Sequence, residues 1–206
     1  MSPYPIAFAA DHAGEGRDRL TTFFRYFVAI PWWVVGLCFA LGAAVLAIAA
    51  WFAIAFTGRY PQGLYEFNAK AVRMLARTNA FALLLTDELP PFGGDPDDAY
   101  PVRVGFAPPK PAYSRVKALL RLVLAIPVVL LGYVQNVIAG VCSTLAWFAI
   151  VFTGRMPEGL HRGIRGAAAY EARMFTYLLL LTEDYPPFGY YPDDEQAARS
   201  APYPAA

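Results

Sequence analysis

Two stretches of the chain, residues 26–57 and 122–153, run without a single charged side chain. Each is followed by a segment in which apolar and basic positions recur at helical spacing. About 20 apolar residues carry a helix across the hydrocarbon core of a bilayer, so each bare run is long enough to span it. The segments that follow, 62–88 and 158–184, predict amphipathic helices. In the first, Lys70, Arg73 and Arg77 share one face, while Leu64, Phe67, Ala71, Met74 and Phe81 lie mainly on another. In the second, Arg162, Arg165 and Arg173 form the basic side. Such a helix beside a membrane segment is expected at the interface, its cations near lipid phosphates. The alternative is a helix packed on its membrane partner with its charges solvated.

The pattern occurs twice because the sequence does. Residues 4–98 align with 100–194 at a constant offset of 96, and 36 of the 95 pairs are identical, so the two halves share one structural unit. The expected organisation is a repeat over 1–98, a second over 99–194, and a disordered tail over 195–206. Each repeat opens on an extended piece. The second copy shows it best, with Val102, Val104 and Phe106 on one face of a strand. Matched basic residues (Arg19 and Arg115, Arg25 and Arg121) lead into the apolar run, which carries Ile-Pro near its start. Pro31 and Pro127 predict a kink or break, with a short interfacial helix before it. Both runs end in Thr-Gly-Arg-x-Pro, where Gly58 and Gly154 are suited to a left-handed cap. The amphipathic helix ends by about Glu88, before Pro90-Pro91, and Pro90 to Asp98 reads as the linker between copies.

Each run could be one kinked helix or a short hairpin that returns. Single crossings would invert the second repeat relative to the first. Both ends of both runs are basic, which favours the hairpin, since cytoplasmic flanks collect Lys and Arg. Gln135-Asn136 lies where the second turn would fall, and would equally suit a polar contact between helices.

The chain is 57% hydrophobic and 16% charged, against roughly 25% charged in ordinary soluble domains, which again points to a membrane. A net charge of +1 argues against a nucleic-acid partner. Cys38 and Cys142 fall within the apolar runs, are expected buried, and suggest neither disulfide nor metal. Both runs are expected to be retained rather than cleaved, in a bacterial inner membrane.

Catalytic chemistry is thin. His12 and His161 do not correspond between repeats, and no nucleophile elbow, P-loop or zinc motif is present. The matched acids Asp87-Glu88 and Glu183-Asp184 fit solvated caps or turns better than a general acid/base pair. Asp97, Asp98, Asp193 and Asp194 fit polar turns, or could attract a cation without the spacing of a calcium loop. Trp51 and Trp147 suit an interfacial aromatic belt. Arg59 and Arg155 stand at the membrane exits and, with Arg25 and Arg121, are the candidates for lipid-headgroup binding; the alternative is an interfacial anchor or helix cap.

Arg-x5-Pro (Arg25 to Pro31, Arg121 to Pro127), the Phe-Thr-Gly-Arg-x-Pro exit and the closing Leu-Thr-acid-acid-x-Pro-Pro-Phe recur in order, twice. In these motifs the chain resembles the bacterial membrane family catalogued as domain of unknown function 4389, as a two-copy, actinobacterial-type member. The resemblance implies an integral membrane protein of no assigned activity and supplies no catalytic residue. The expectation is an all-α integral membrane protein of two tandem repeats that acts without catalysis, cofactor or metal. It would be a scaffold or accessory subunit that contacts anionic lipids and itself or another membrane protein. A small transporter or channel subunit is the alternative.

Overall fold

A computed structural model describes residues 4–12 and 15–187. The cation candidates Asp193 and Asp194 and the expected tail fall outside this range. Strand β1 (Ile6–Ala10) precedes helix α1 (Arg19–Thr57) and helix α2 (Gln62–Ala82). Strand β2 (Val102–Phe106), a one-turn helix α3 (Arg115–Leu119), helix α4 (Arg121–Thr153) and helix α5 (Glu158–Leu178) complete the chain. Two of these helices, α1 and α4, are long and apolar enough to cross a membrane.

Neither apolar run is a hairpin. Pro31 and Pro127 lie inside continuous helices, and the only interruption comes at Leu120, before the proline rather than at it. A proline removes one amide and crowds the preceding turn, but in so long a helix the flanking hydrogen bonds and a packed seam hold the backbone helical. That seam is narrow. On α1 it runs through Ala29, Gly36, Ala43 and Ala50 to Ile54, and on α4 its identical counterparts are Ala125, Gly132, Ala139, Ala146 and Ile150, all buried. Seven-residue spacing of small side chains brings the next helix close. Phe67 of α2 stacks on Phe39 of α1 with ring centroids 5.8 Å apart. The Gly36 and Gly132 backbones sit against Leu75 and Met174.

The starts and stops follow local chemistry. Asp18 caps α1 by accepting from the Leu20 amide at 2.9 Å. Gly58 and Gly154 adopt φ 70° and 71° and return their amides to Ile54 and Ile150, the expected left-handed caps. The amphipathic helices stop about six residues early, at Ala82 and Leu178. There Leu84 and Leu180 take positive φ (69° and 65°), and the next amide reaches back to Ala80 or Thr176 at 2.9 and 3.1 Å. A left-handed leucine is strained, yet both are buried, and that burial offsets the strain.

Two-fold reciprocity governs how the repeats meet. Phe8 and Val104 occupy equivalent positions and pair with each other at the centre of the antiparallel β1–β2 ribbon. The Tyr113 amide donates to the Gly58 carbonyl at 2.8 Å, and the equivalent Arg17 amide to Gly154 at 3.2 Å. Trp51 Nε1 donates to Ala118, and equivalent Trp147 Nε1 to Thr22. Contacts in which i meets j and j meets i define a pseudo-two-fold axis, so α1 and α4 run antiparallel. Trp51 and Trp147 therefore serve as ties between repeats, half-buried rather than a free belt.

Three layers result. The ribbon packs on α2 and α5, these two pack on each other, and α1 and α4 lie against them. The strands are buried along their whole length, including Arg103, which pairs with Asp11 at 2.8 Å.

Candidate functional site

The most unusual surface is the outer face of α1 and α4. Among the described residues, the large exposed hydrophobics lie on these helices, the short α3 and Leu120 between α3 and α4, apart from Leu89, Phe92 and Tyr185. Phe27 and Phe56 are 73% and 75% exposed, Leu122 and Phe152 77% and 74%. Exposed apolar area on this scale marks a surface that something covers. Cys38 belongs to this exposed face, contrary to the expected burial, and Cys142 is half-buried beside Gly163.

The basic residues separate into two groups. Arg25 and Arg121 are buried. Arg25 Nη1 donates to the carbonyls of Phe81 (2.5 Å) and Thr86 (2.7 Å), and Nη2 to Asp87. Arg121 donates to Tyr177 and to Thr182, its guanidinium lying 3.6 Å from the Tyr177 ring centroid. Each thus satisfies the last carbonyls of its own repeat's amphipathic helix, at the negative end of the helix dipole. Burial lowers the pKa of both guanidinium groups, and Asp87 opposes this at Arg25. A headgroup would have to unfold the turn to reach them. Arg59 and Arg155, in contrast, are exposed at the ends of α1 and α4; Arg155 lies 3.6 Å from Glu15.

The expected interfacial basic face is mostly turned inward. Arg73 donates to Val104 (3.1 Å) and Gly94 (3.4 Å) with its guanidinium 4.8 Å from the Phe106 ring centroid. Arg77 donates to Asp95 O at 2.8 Å, and Arg173 lies 5.9 Å from the Tyr4 ring centroid. These side chains hold the ribbon and linker onto α2 and α5. Lys70 and Arg162 stay exposed, paired with Asp95 (2.7 Å) and Glu158 (2.8 Å); Arg165 is half-buried. The amphipathic helices are the middle layer of the fold because the ribbon takes their polar side, which helical spacing alone does not disclose.

The matched acids are turn partners: Asp87 pairs with Arg17 and Arg25, and Asp184 with Lys110 at 3.3 Å. The two histidines, unrelated in sequence position, meet with ring centroids 4.3 Å apart. His161 is buried and its pKa falls to about 4, first through desolvation and then through His12 and Arg165.

One polar cluster escaped the pattern of the sequence. Glu171 of α5 accepts from Asn79 Nδ2 of α2 at 2.9 Å. It faces two small cavities, about 10 and 20 Å³, that meet at its side chain. The first is lined by α2 and α5 alone; Asn136, Gly132 and Ala139 of α4 form a wall of the second. Desolvation raises the Glu171 pKa, and the Asn79 hydrogen bond offsets this in part. Its repeat equivalent is Leu75, so a comparison of the two copies at this position was the signal available.

Comparison with known families matches residues 19–93 and 115–189 to the family described as Domain of unknown function (DUF4389). The chain belongs to that family. Its two copies fall one in each repeat, the first from the start of α1 and the second from the start of α3, each through the Pro-Pro-Phe-Gly motif. No curated protein and no solved structure matches the DUF4389 chain.

Proposed function

We propose that this DUF4389 protein is a non-enzymatic protein of the bacterial inner membrane, a scaffold or accessory subunit. In this reading it lays α1 and α4 in the plane of one leaflet. The observation that supports the in-plane arrangement is the position of the Lys70–Asp95 pair. Phe67 and Leu75 of α2 pack against Gly42 and Gly36, so Lys70 is level with the middle of α1. Upright, α1 would draw this exposed ion pair to the bilayer centre, where charged groups are costly. At 39 residues α1 is also about 58 Å long, nearly twice the hydrocarbon thickness. Laid flat, its apolar face meets acyl chains, the ribbon meets water, and Arg59 and Arg155 reach lipid phosphates at the rim.

The antiparallel repeats also suit an inverted-repeat transporter, and that observation keeps the second reading. Depth decides between them. Single cysteines at Leu37, near the middle of α1, and at Asp97, in a chain lacking Cys38 and Cys142, are labelled with a nitroxide in reconstituted vesicles. In-plane insertion expects position 37 at shallow acyl depth and position 97 in water. A position 37 at the bilayer centre would sink it in favour of spanning helices.

A further inference from the structure

We propose that the Glu171–Asn79–Asn136 cluster, where α5 packs against α2 and α4, is a binding site for the protonated amine of a lipid headgroup, an ethanolamine phospholipid. The inference rests on the in-plane membrane reading above.

Glu171 and Arg173 stand two positions apart on α5, so at 100° per residue they point to nearly opposite sides. Arg173 lies by Tyr4 on the ribbon side. Glu171 therefore points toward the layer of the long helices, where Asn136 and Gly132 of α4 border its cavity. Its partner is the Asn79 amide, and among the described residues no basic group pairs with it. Packing does not call for a carboxylate here, because the other repeat fills the equivalent position with Leu75 and the position of Asn79 with Phe175. The charged residue is thus an addition to one half of a pseudo-symmetric frame. A carboxylate without a basic partner, set in a cavity behind an exposed apolar helix, is a position where a cation can be recognised.

Complementarity selects the occupant. Glu171 and the two amide oxygens offer acceptors to an ammonium, which also supplies the missing positive charge. The flanks are Ala76, Ala139, Ala167, Ala168 and Ala172, small and apolar, suited to a molecule that continues as hydrocarbon. The cavities as described hold about one water each, so the site opens on binding, and flexible Met174 at the wall can move aside.

The test uses the full chain, its E171Q and E171L variants, and E158Q as an exposed control. Vesicles are phosphatidylglycerol alone, or phosphatidylglycerol mixed with phosphatidylethanolamine. Flotation reads insertion, and native mass spectrometry of the extracted protein reads retained lipid. Wild type and E158Q should retain phosphatidylethanolamine over phosphatidylglycerol by about tenfold, the worth of one charge-assisted hydrogen bond. Both Glu171 variants should float normally and lose the preference; E171L carries the residue of the other repeat and so should still pack. Equal retention by wild type and variants overturns the site, as does displacement of the lipid by millimolar free ethanolamine. Failure of wild type to float would instead remove the membrane reading itself.

Discussion

Trp51 donates its indole N–H to the carbonyl of Ala118 at 2.8 Å, tying the C-terminal end of α1 to the start of the second repeat's helical run. Its counterpart, Trp147 to Thr22 at 3.1 Å, closes the other end. Two ties related by the pseudo-axis hold the long helices antiparallel.

Replacing either tryptophan with phenylalanine should remove one tie and cost roughly 1 kcal/mol. The ties lie at opposite ends of α1, so the double variant should show close to the sum. Thermal unfolding in detergent measures both. A double variant no less stable than the singles would mean that the repeats are not held together in this way.

The arginines should separate stability from lipid contact. Arg25→Met strips buried carbonyls and Asp87 of their partner, and should destabilise by roughly 2–4 kcal/mol. Arg59→Gln changes an exposed residue and should shift stability by no more than about 0.5 kcal/mol. It should instead weaken binding to phosphatidylglycerol vesicles, more so at low salt. Denaturant titration and vesicle co-sedimentation read the two effects apart.

Gly94 meets the backbone of α2, where an added Cβ would stand 1.8 Å from the Lys70 carbonyl oxygen. Backbone cannot step aside, so Gly94→Ala should cost about 1–3 kcal/mol and loosen the linker. At Gly132 the nearest atom is Met174 Sδ at 2.3 Å, the end of a flexible side chain. Gly132→Ala should therefore cost less, and hydrogen exchange at 90–98 should rise only for Gly94→Ala.

His161 sets an acid limit. Its folded pKa, about 4, lies below the ordinary 6.5, so between these values the unfolded chain binds more protons. Its contribution to stability is full above about pH 6.5 and is lost as pH falls toward 4. His161→Gln should flatten that part of the stability–pH curve, which chemical unfolding between pH 4 and 7 would show.

Much of the local structure was legible in the sequence. The constant offset of 96 disclosed the repeats, the uncharged runs disclosed α1 and α4, and Gly58 and Gly154 marked their ends, because propensity and capping act within a few residues. The stop of α2 at Ala82 was less so, since it depends on a left-handed Leu84 that burial and Arg25, far away along the chain, make tolerable. Tertiary structure alone decided which way each face turned. Helical spacing put Lys70, Arg73 and Arg77 on one side of α2, but a period says nothing of what covers that side, and the ribbon built from both repeats covers it. The same holds for Arg25, read as an exposed basic flank until α2 folds back and its terminal carbonyls claim the guanidinium. Glu171 reads as one polar residue among many in an amphipathic helix, until the packing of α2 and α4 against α5 brings Asn79 to its side chain and Asn136 to the wall of its cavity. Local sequence determined the elements; contacts between residues scores of positions apart determined which charges are interior and which face of the molecule is apolar.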